Sequence, residues 1–268
     1  MKRLNFKGVV LFFVSLLLFA SCLGEGRNVQ SGSTYGVTRY DYLKGINLLD
    51  VTETESFYSI RFNLSEGGII VPIDDACFLV SYELDYDLPE NSTESVVANG
   101  YYTVTIYDRL ELDKLQIFSS LGDTSKALTN EVAIVNPIVD NYFTYIKGKS
   151  FVVSTVEVPS DQKMNWSLSY DYNNMVSTEG SATYCDVYLR ATIRGYAGTN
   201  LKDKISFANA FDMEYYLKAA TNKVNELGKS EFKLRFYYPS IINDEGQITW
   251  GAQYSQDLYV SSFISEGQ

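Results

Sequence analysis

Apolar and polar residues alternate along most of this chain. In Tyr58-Ser59-Ile60-Arg61-Phe62-Asn63-Leu64 the even-numbered positions are apolar. Phe78, Val80, Tyr82, Leu84 and Tyr86 repeat the pattern, with Ser81, Glu83 and Asp85 between the later members. A period of two buries one face of an extended segment and leaves the other wet, so these stretches predict β-strands. Tyr101 to Tyr107, then Leu110 and Leu112, then Ile117 and Phe118 give three further strand candidates separated by short polar breaks.

Residues 119 to 130 are polar and turn-rich, and Pro137 follows. Domain boundaries tend to fall in such segments, so the boundary is expected here. Val132 to Val139 is expected to link the two halves. The second half opens with a β-branched stretch, Tyr142 to Val158, which ends in the turn Pro159-Ser160-Asp161-Gln162. Trp166, Leu168, Tyr170 and Tyr172 alternate with polar residues. Cys185, Val187, Leu189, Ala191 and Ile193 are opposed by Asp186, Arg190 and Arg194. Phe232, Leu234, Phe236 and Tyr238 precede the turn Asn243-Asp244-Glu245-Gly246, and Ile248, Trp250, Ala252 and Tyr254 follow it, which predicts a hairpin. One segment departs from period two. Asp212 to Leu227 is rich in helix formers and is followed by Gly228, which predicts a short helix presenting Tyr216, Ala220, Val224 and Leu227 on one face. The chain therefore reads as mainly β.

The N-terminus has a different character. Met1 to Lys7 is basic, Gly8 to Ala20 is uncharged and mostly apolar, and Phe19-Ala20-Ser21-Cys22 follows. The apolar run is short for a bilayer span, which needs about 20 residues, and it matches the hydrophobic region of a secretory signal. An apolar residue, two small residues and a Cys form the layout of a bacterial lipobox. That predicts a signal peptide over 1–21 and acylation of Cys22 with diacylglycerol and palmitate-type chains. The other reading is an ordinary signal peptide with Cys22 at its edge. Each buried CH2 is worth about 0.8 kcal/mol, so several chains on one residue would anchor it durably. Residues 22–35 are rich in Gly and Ser and predict a flexible tether. The division expected is thus 1–21 signal peptide, 22–35 lipidated tether, 36–130 first domain and 131–268 second domain.

Composition narrows the functional classes. The 268 residues include 22 Tyr and 15 Phe, which suits pleated sheets. The leader holds three of the 22 basic residues and none of the 33 acids, so the mature chain carries 19 − 33 = −14. That charge disfavours nucleic acid as a partner. The absence of His excludes His-dependent hydrolysis and His-ligated metals. No metal or cofactor is expected. Besides Cys22 there are Cys77 and Cys185, either paired in an oxidising compartment or buried separately as small apolar residues.

Paired acids (Asp74-Asp75, Asp85 with Asp87, Glu111 with Asp113, Asp244-Glu245) are the formal candidates for a glycosidase, which needs two carboxylates about 5–9.5 Å apart across a sugar. The plainer reading is solvated strand faces and turns. Aromatic side chains offer a stronger case for binding, and Tyr101, Tyr107, Tyr188, Tyr237 and Trp250 are the candidates. The sequons at Asn91 and Asn165 carry no expectation of glycosylation.

The stretches NGYYTVTIYDRLELDKLQIF (99–118), CDVYLRATIRGYAG (185–198), ISFANAFDMEYYL (205–217) and EGQITWGAQYS (245–255) resemble the NigD-like lipoproteins of Bacteroidota. The resemblance implies an N-terminal OB-like barrel followed by a C-terminal β-sandwich, on a lipoprotein held at the outer membrane through its lipid, on its periplasmic or its outer side. It carries over no catalytic residue. The function expected is a non-catalytic binding or assembly module for an envelope protein or a glycan. The alternatives are an envelope glycoside hydrolase and a fimbria-like subunit.

Overall fold

A computed structural model describes residues 27–51, 61–64, 72–138, 144–159, 162–195 and 203–263. The leader and Cys22 lie outside the described residues.

The first body is a six-stranded sheet made of β1 (Val29–Asp41), β2 (Ile46–Asp50), β3 (Arg61–Asn63), β4 (Cys77–Asp85), β5 (Tyr102–Thr103) and β6 (Thr105–Leu112). Its order is β5-β3-β2-β1-β4-β6. Strand β1 organises it, pairing with β4 from Val29↔Asp85 to Val37↔Cys77 and with β2 from Val37↔Asp50 to Asp41↔Ile46. The alternation read from the sequence works as expected: Phe78 and Val80 point inward with Leu49, Val51 and Phe62. A Cβ on Gly36 would stand 2.4 Å from Leu49 Cγ, so glycine is needed where Leu49 crosses β1.

The tether expected over 22–35 is corrected here, because its second half is strand. Residues 29–33 are exposed, yet their backbone is paired with β4 throughout. Gly and Ser composition reports solvent contact on both faces, and it was blind to backbone pairing with a strand some 50 residues away.

A second helix was also missed. Helix α1 (Thr93–Asn99) starts at Ser92, whose hydroxyl accepts from Ser95 N, and ends at Gly100 in the left-handed region. Before it, Asn91 is buried and ties the segment to both neighbouring strands. Its Nδ2 donates to Asp85 O and Thr103 O, each at 2.8 Å, and its Oδ1 accepts from Thr103 N at 2.8 Å.

The chain changes sheets between Leu112 and Lys114. Strand β7 (Lys114–Phe118) enters the second body and pairs parallel with both β11 (Met164–Ser169) and β14 (Asp203–Asp212). Around it runs an eleven-stranded sheet. Its other members are β8 (Ile134–Ile138), β9 (Thr144–Ile146), β10 (Lys149–Val158), β12 (Val176–Glu179), β13 (Ala182–Ile193), β15 (Glu231–Ile242), β16 (Ile248–Tyr254) and β17 (Leu258–Tyr259). The path is β16-β15-β13-β11-β7-β14-β10-β8. The sandwich is one curled sheet. Val152 and Val156 of β10 and Phe211 of β14 share a core with Leu168 of β11, Val187 and Leu189 of β13, and Leu234 and Phe236 of β15. The β9–β10 hairpin turns at Lys147-Gly148, both with positive φ, as a two-residue loop requires.

Helix α2 (Glu214–Glu226) forms where the sequence places it and covers this core. Tyr216, Ala220 and Val224 are buried with it, as read. Leu227 is 54% exposed; Leu217 and Thr221 take the inward positions. The helix stops one residue earlier than the apolar spacing suggested, so the face ends at Val224. No helix among the described residues is long and apolar enough to cross a membrane.

The two bodies meet across a buried apolar seam. Val37, Cys77 and Leu112 of the first pack on Ile146, Phe151 and Ala210 of the second, and Tyr35 stacks on Phe151 at 5.0 Å. Beside the seam, Asp75 is ion-paired with Lys114 and lies 3.5 Å from Lys149, which reaches Asp212 at 3.1 Å. The larger apolar side chains contribute about 1.5–3 kcal/mol each on burial, against roughly 0–1 kcal/mol for the partly exposed Lys114–Asp75 pair. The seam therefore holds the bodies together, and the ions fix their orientation. Cys77 and Cys185 are both buried and free, in separate clusters, which resolves the two readings in favour of separate burial.

Candidate functional site

The outward face of the second sheet carries the densest chemistry in the described residues. Parallel pairing of β13 with β15 sets Asp186 beside Arg235 and Tyr188 beside Tyr237; antiparallel pairing of β15 with β16 sets Tyr254 beside Arg235 and Trp250 beside Pro239. The odd residues of β13, Cys185 to Ala191, point into the core, so the even ones must point out. The result is a layer of rings. Tyr188 and Tyr237 stack at 4.9 Å, Trp250 meets Tyr188 edge-on at 5.3 Å, and Tyr184 lies 5.5 Å from Tyr254.

Arg235 sits inside this layer. Its guanidinium lies 4.8 Å from the Tyr184 ring and 5.0 Å from the Tyr237 ring. Nε and Nη2 donate to the two carboxylate oxygens of Asp186 at 2.7 and 2.9 Å, Nη2 also donates to Ser177 Oγ at 2.8 Å, and Nη1 pairs with Glu179. The Asp186 hydrogen bond, opposed by burial, raises the guanidinium's pKa further. Burial first, and the Asp186 charge second, raise the phenols of Tyr188 and Tyr237 above the usual tyrosine value. The phenols therefore remain protonated at neutral pH and act as hydroxyl donors and acceptors.

One end of the layer is covered by residues 119–131, the stretch expected to separate the domains. It is a strap pinned across the sheet. Arg190 donates to Glu131 Oε1 at 2.6 Å and Oε2 at 2.7 Å, to Asp123 O at 3.0 Å and to Lys126 O at 2.8 Å. Trp250 Nε1 donates to Thr124 O at 2.9 Å, and Lys126 bridges to Gln247. The Arg190 and Glu131 side chains are 4% and 0% exposed. A buried pair this well bonded needs every partner in place.

Three of the five aromatic candidates, Tyr188, Tyr237 and Trp250, are thus brought together. Tyr101 and Tyr107 are not: Tyr101 lies under Lys44 in the first body, and Tyr107 is 64% exposed on β6, where a hydrogen bond to Glu83 raises its pKa. The acid pairs do not converge. Partial burial pushes Asp75 up, but Lys114 and Lys149 outweigh it and hold its pKa low. Asp85 accepts from Arg27 at 2.6 Å, which lowers it, and Asp87 accepts from Asn28 N at 2.9 Å. Glu111 and Asp113 are exposed, as are Asp244 and Glu245 in the β15–β16 turn. Among the described residues no three of His, Cys, Asp and Glu gather in a metal-binding arrangement. Asn91 is a buried structural residue, and Asn165 accepts from Arg194 Nε at 3.0 Å. The sequence reading missed Tyr184, Tyr254, Arg235 and the strap. Period two marked their strands, but the parallel neighbour of β13 has no signal in the local pattern.

Residues 26–109 match the model of a lipoprotein OB domain family. No curated protein matches the chain. Among solved structures, an uncharacterised protein of Parabacteroides merdae ATCC 43184 is 21% identical, covering 85% of this chain and 99% of that one, with a TM-score of 0.66. A protein assigned as a lipoprotein in Bacteroides fragilis NCTC 9343 is 12% identical over 84% and 97%, with a TM-score of 0.54. These two share the fold of both bodies. A NigD-like immunity protein of Bacteroides caccae ATCC 43185 is 13% identical over 84% of this chain and 93% of that one, at a TM-score of 0.45. Residues 26–109, most of the first body, are thus similar to a lipoprotein OB domain, and most of the chain shares its fold with proteins of Parabacteroides and Bacteroides.

Proposed function

We propose that this protein is a lipid-anchored binding module of the cell envelope, without catalysis of its own. The signal peptide is 1–21, and acyl chains on Cys22 hold the two β bodies at the outer membrane. Short reach supports a role close to the bilayer: six residues separate Cys22 from the start of β1, and a chain extends at most about 3.6 Å per residue. The observation that carries the binding reading is the ring layer of Tyr184, Tyr188, Tyr237, Trp250 and Tyr254. Its guanidiniums and carboxylates are spent on one another, so what it offers a partner is ring surface and phenolic hydroxyl. That chemistry suits an envelope glycan or a tyrosine-rich protein surface, and it contains no nucleophile beside a base. The scattered positions of the acid pairs support the absence of hydrolysis.

The test compares the anchored protein with a Tyr237→Ala, Tyr254→Ala variant, in a pull-down from envelope extracts and in a glycan-binding screen. Capture of one class of partner, lost at least tenfold in the variant, is the expected result. Equal capture by both proteins would move the binding surface elsewhere.

A further inference from the structure

Among the described residues, strand β16 ends the second sheet and its outer edge is open. Ser255 N donates to Leu234 O at 2.9 Å, the position directly opposite in the register. Backbone groups alternate sides along an antiparallel strand, so Gln253 and Gly251 also bond inward to β15, and Trp250, Ala252 and Tyr254 direct their N–H and C=O groups outward. Among the described residues these outward groups have no backbone partner. The strap closes one end of the edge, where Lys126 bridges to Gln247 and Ala127 N donates to Gly246 O.

Sheet edges are normally blunted by charge, proline or a bulge. The opposite edge of this sheet follows that rule: β8 contains Pro137, and its pairing with β10 carries a register shift. Strand β16 does not. From Gln247 to Gln256 there is no charged residue and no proline, and the register shift in the β15–β16 ladder falls on the β15 side, between Pro239 and Ile241. In a mature chain of net charge −14, this is a neutral window in which two copies can approach without like charges meeting.

The register is also self-complementary. Only pairings that bring outward groups face to face form hydrogen bonds. The one that uses all three outward residues and stays clear of the strap sets Ala252 opposite Ala252 of a second copy and Trp250 opposite its Tyr254. Small then faces small at the two-fold axis, and aromatic faces aromatic on the ring-layer side, a favourable cross-strand pair. On the other face Gln253 lies opposite Gly251, which has no side chain because the Tyr238 ring covers it; a Cβ there would stand 2.6 Å from that ring.

We propose that β16 is a self-association edge, joining two copies of this chain in antiparallel register about Ala252. The sheets of the two copies become continuous, and their ring layers merge across the axis. This inference rests on the edge geometry alone and is independent of the identity of any other partner.

The test uses the full acylated chain in detergent with one substitution, Ala252→Cys. Cys77 and Cys185 are buried, so the new thiol is the accessible one in the folded body. Directly opposed residues of a hydrogen-bonded pair lie about 5.5 Å apart at Cα, within disulfide reach. Mild oxidation should give a covalent dimer, whereas Thr249→Cys, whose two copies would lie about six residues apart in this register, should give at least tenfold less. In native mass spectrometry the unaltered chain should run as a dimer. Ala252→Pro removes only an outward N–H, so it should return the chain to monomer with its circular dichroism unchanged. Failure of Ala252→Cys to cross-link, equal cross-linking at Thr249→Cys, or a cross-link to a different polypeptide would each overturn the proposal.

Discussion

At the residue scale, the most consequential side chain is Arg235, whose role rests on what surrounds it. Its side chain is 7% exposed and that of Asp186 13%, so removing the guanidinium leaves a carboxylate with little water and no counter-charge. Arg235→Met should cost about 3 kcal/mol in urea unfolding, and Arg235→Lys should not restore it, since an ammonium cannot serve Asp186, Glu179 and Ser177 together. Asn91 makes a similar case in the first body. Asn91→Ala should destabilise by about 2 kcal/mol, because it strands a backbone N–H and two carbonyls that it now satisfies. Neither role was legible beforehand. Arg235 lies between the apolar positions Leu234 and Phe236 and carried no expectation of its own, and Asn91 read only as a sequon without glycosylation. Both depend on strands that meet far from them in sequence.

At the scale of elements, the sequence was legible wherever an element buries one face and wets the other. Strands β4, β13, β15 and β16 and helix α2 fall where the periods of 2 and 3.6 place them. Elements that escape such a period were missed. Helix α1 is seven residues long, too short to show one, although Ser92 and Gly100 are the capping residues that mark its ends. The first residues of β1 are wet on both sides, and the strap meets Arg190 and Trp250 largely through its backbone carbonyls, which leave no mark in side-chain polarity. Sheet packing inside the first body gives a direct check. Gly36→Ala should cost roughly 1–3 kcal/mol through overpacking against Leu49, read as a fall in the urea midpoint with unchanged slope.

At the scale of the whole molecule, the two bodies behave as one unit because the seam around Phe151 and Cys77 is apolar and the ions beside it are orienting. Burial pushes the Cys77 thiol up to about 11, so it should resist alkylation in the folded protein and react only when the seam opens. Asp75 gives the pH dependence. Its folded pKa is held below the ordinary aspartate value of about 3.9, so its contribution is complete above that value and is lost as pH falls through the folded pKa. The stability difference between the native chain and Asp75→Asn should therefore be constant from neutral pH to about pH 5 and close towards zero in more acid solution. Differential unfolding at a series of pH values measures it.

The fold and the ring layer define the surface the chain presents; the lipid on Cys22 would decide where that surface is held. Labelling growing cells with a radioactive fatty acid tests it most directly, comparing the native chain with Cys22→Ala. Label is expected in the native protein, recovered with the membrane fraction, and none in the variant. Label retained in Cys22→Ala, or a native chain that is unlabelled and free of the membrane, would contradict it.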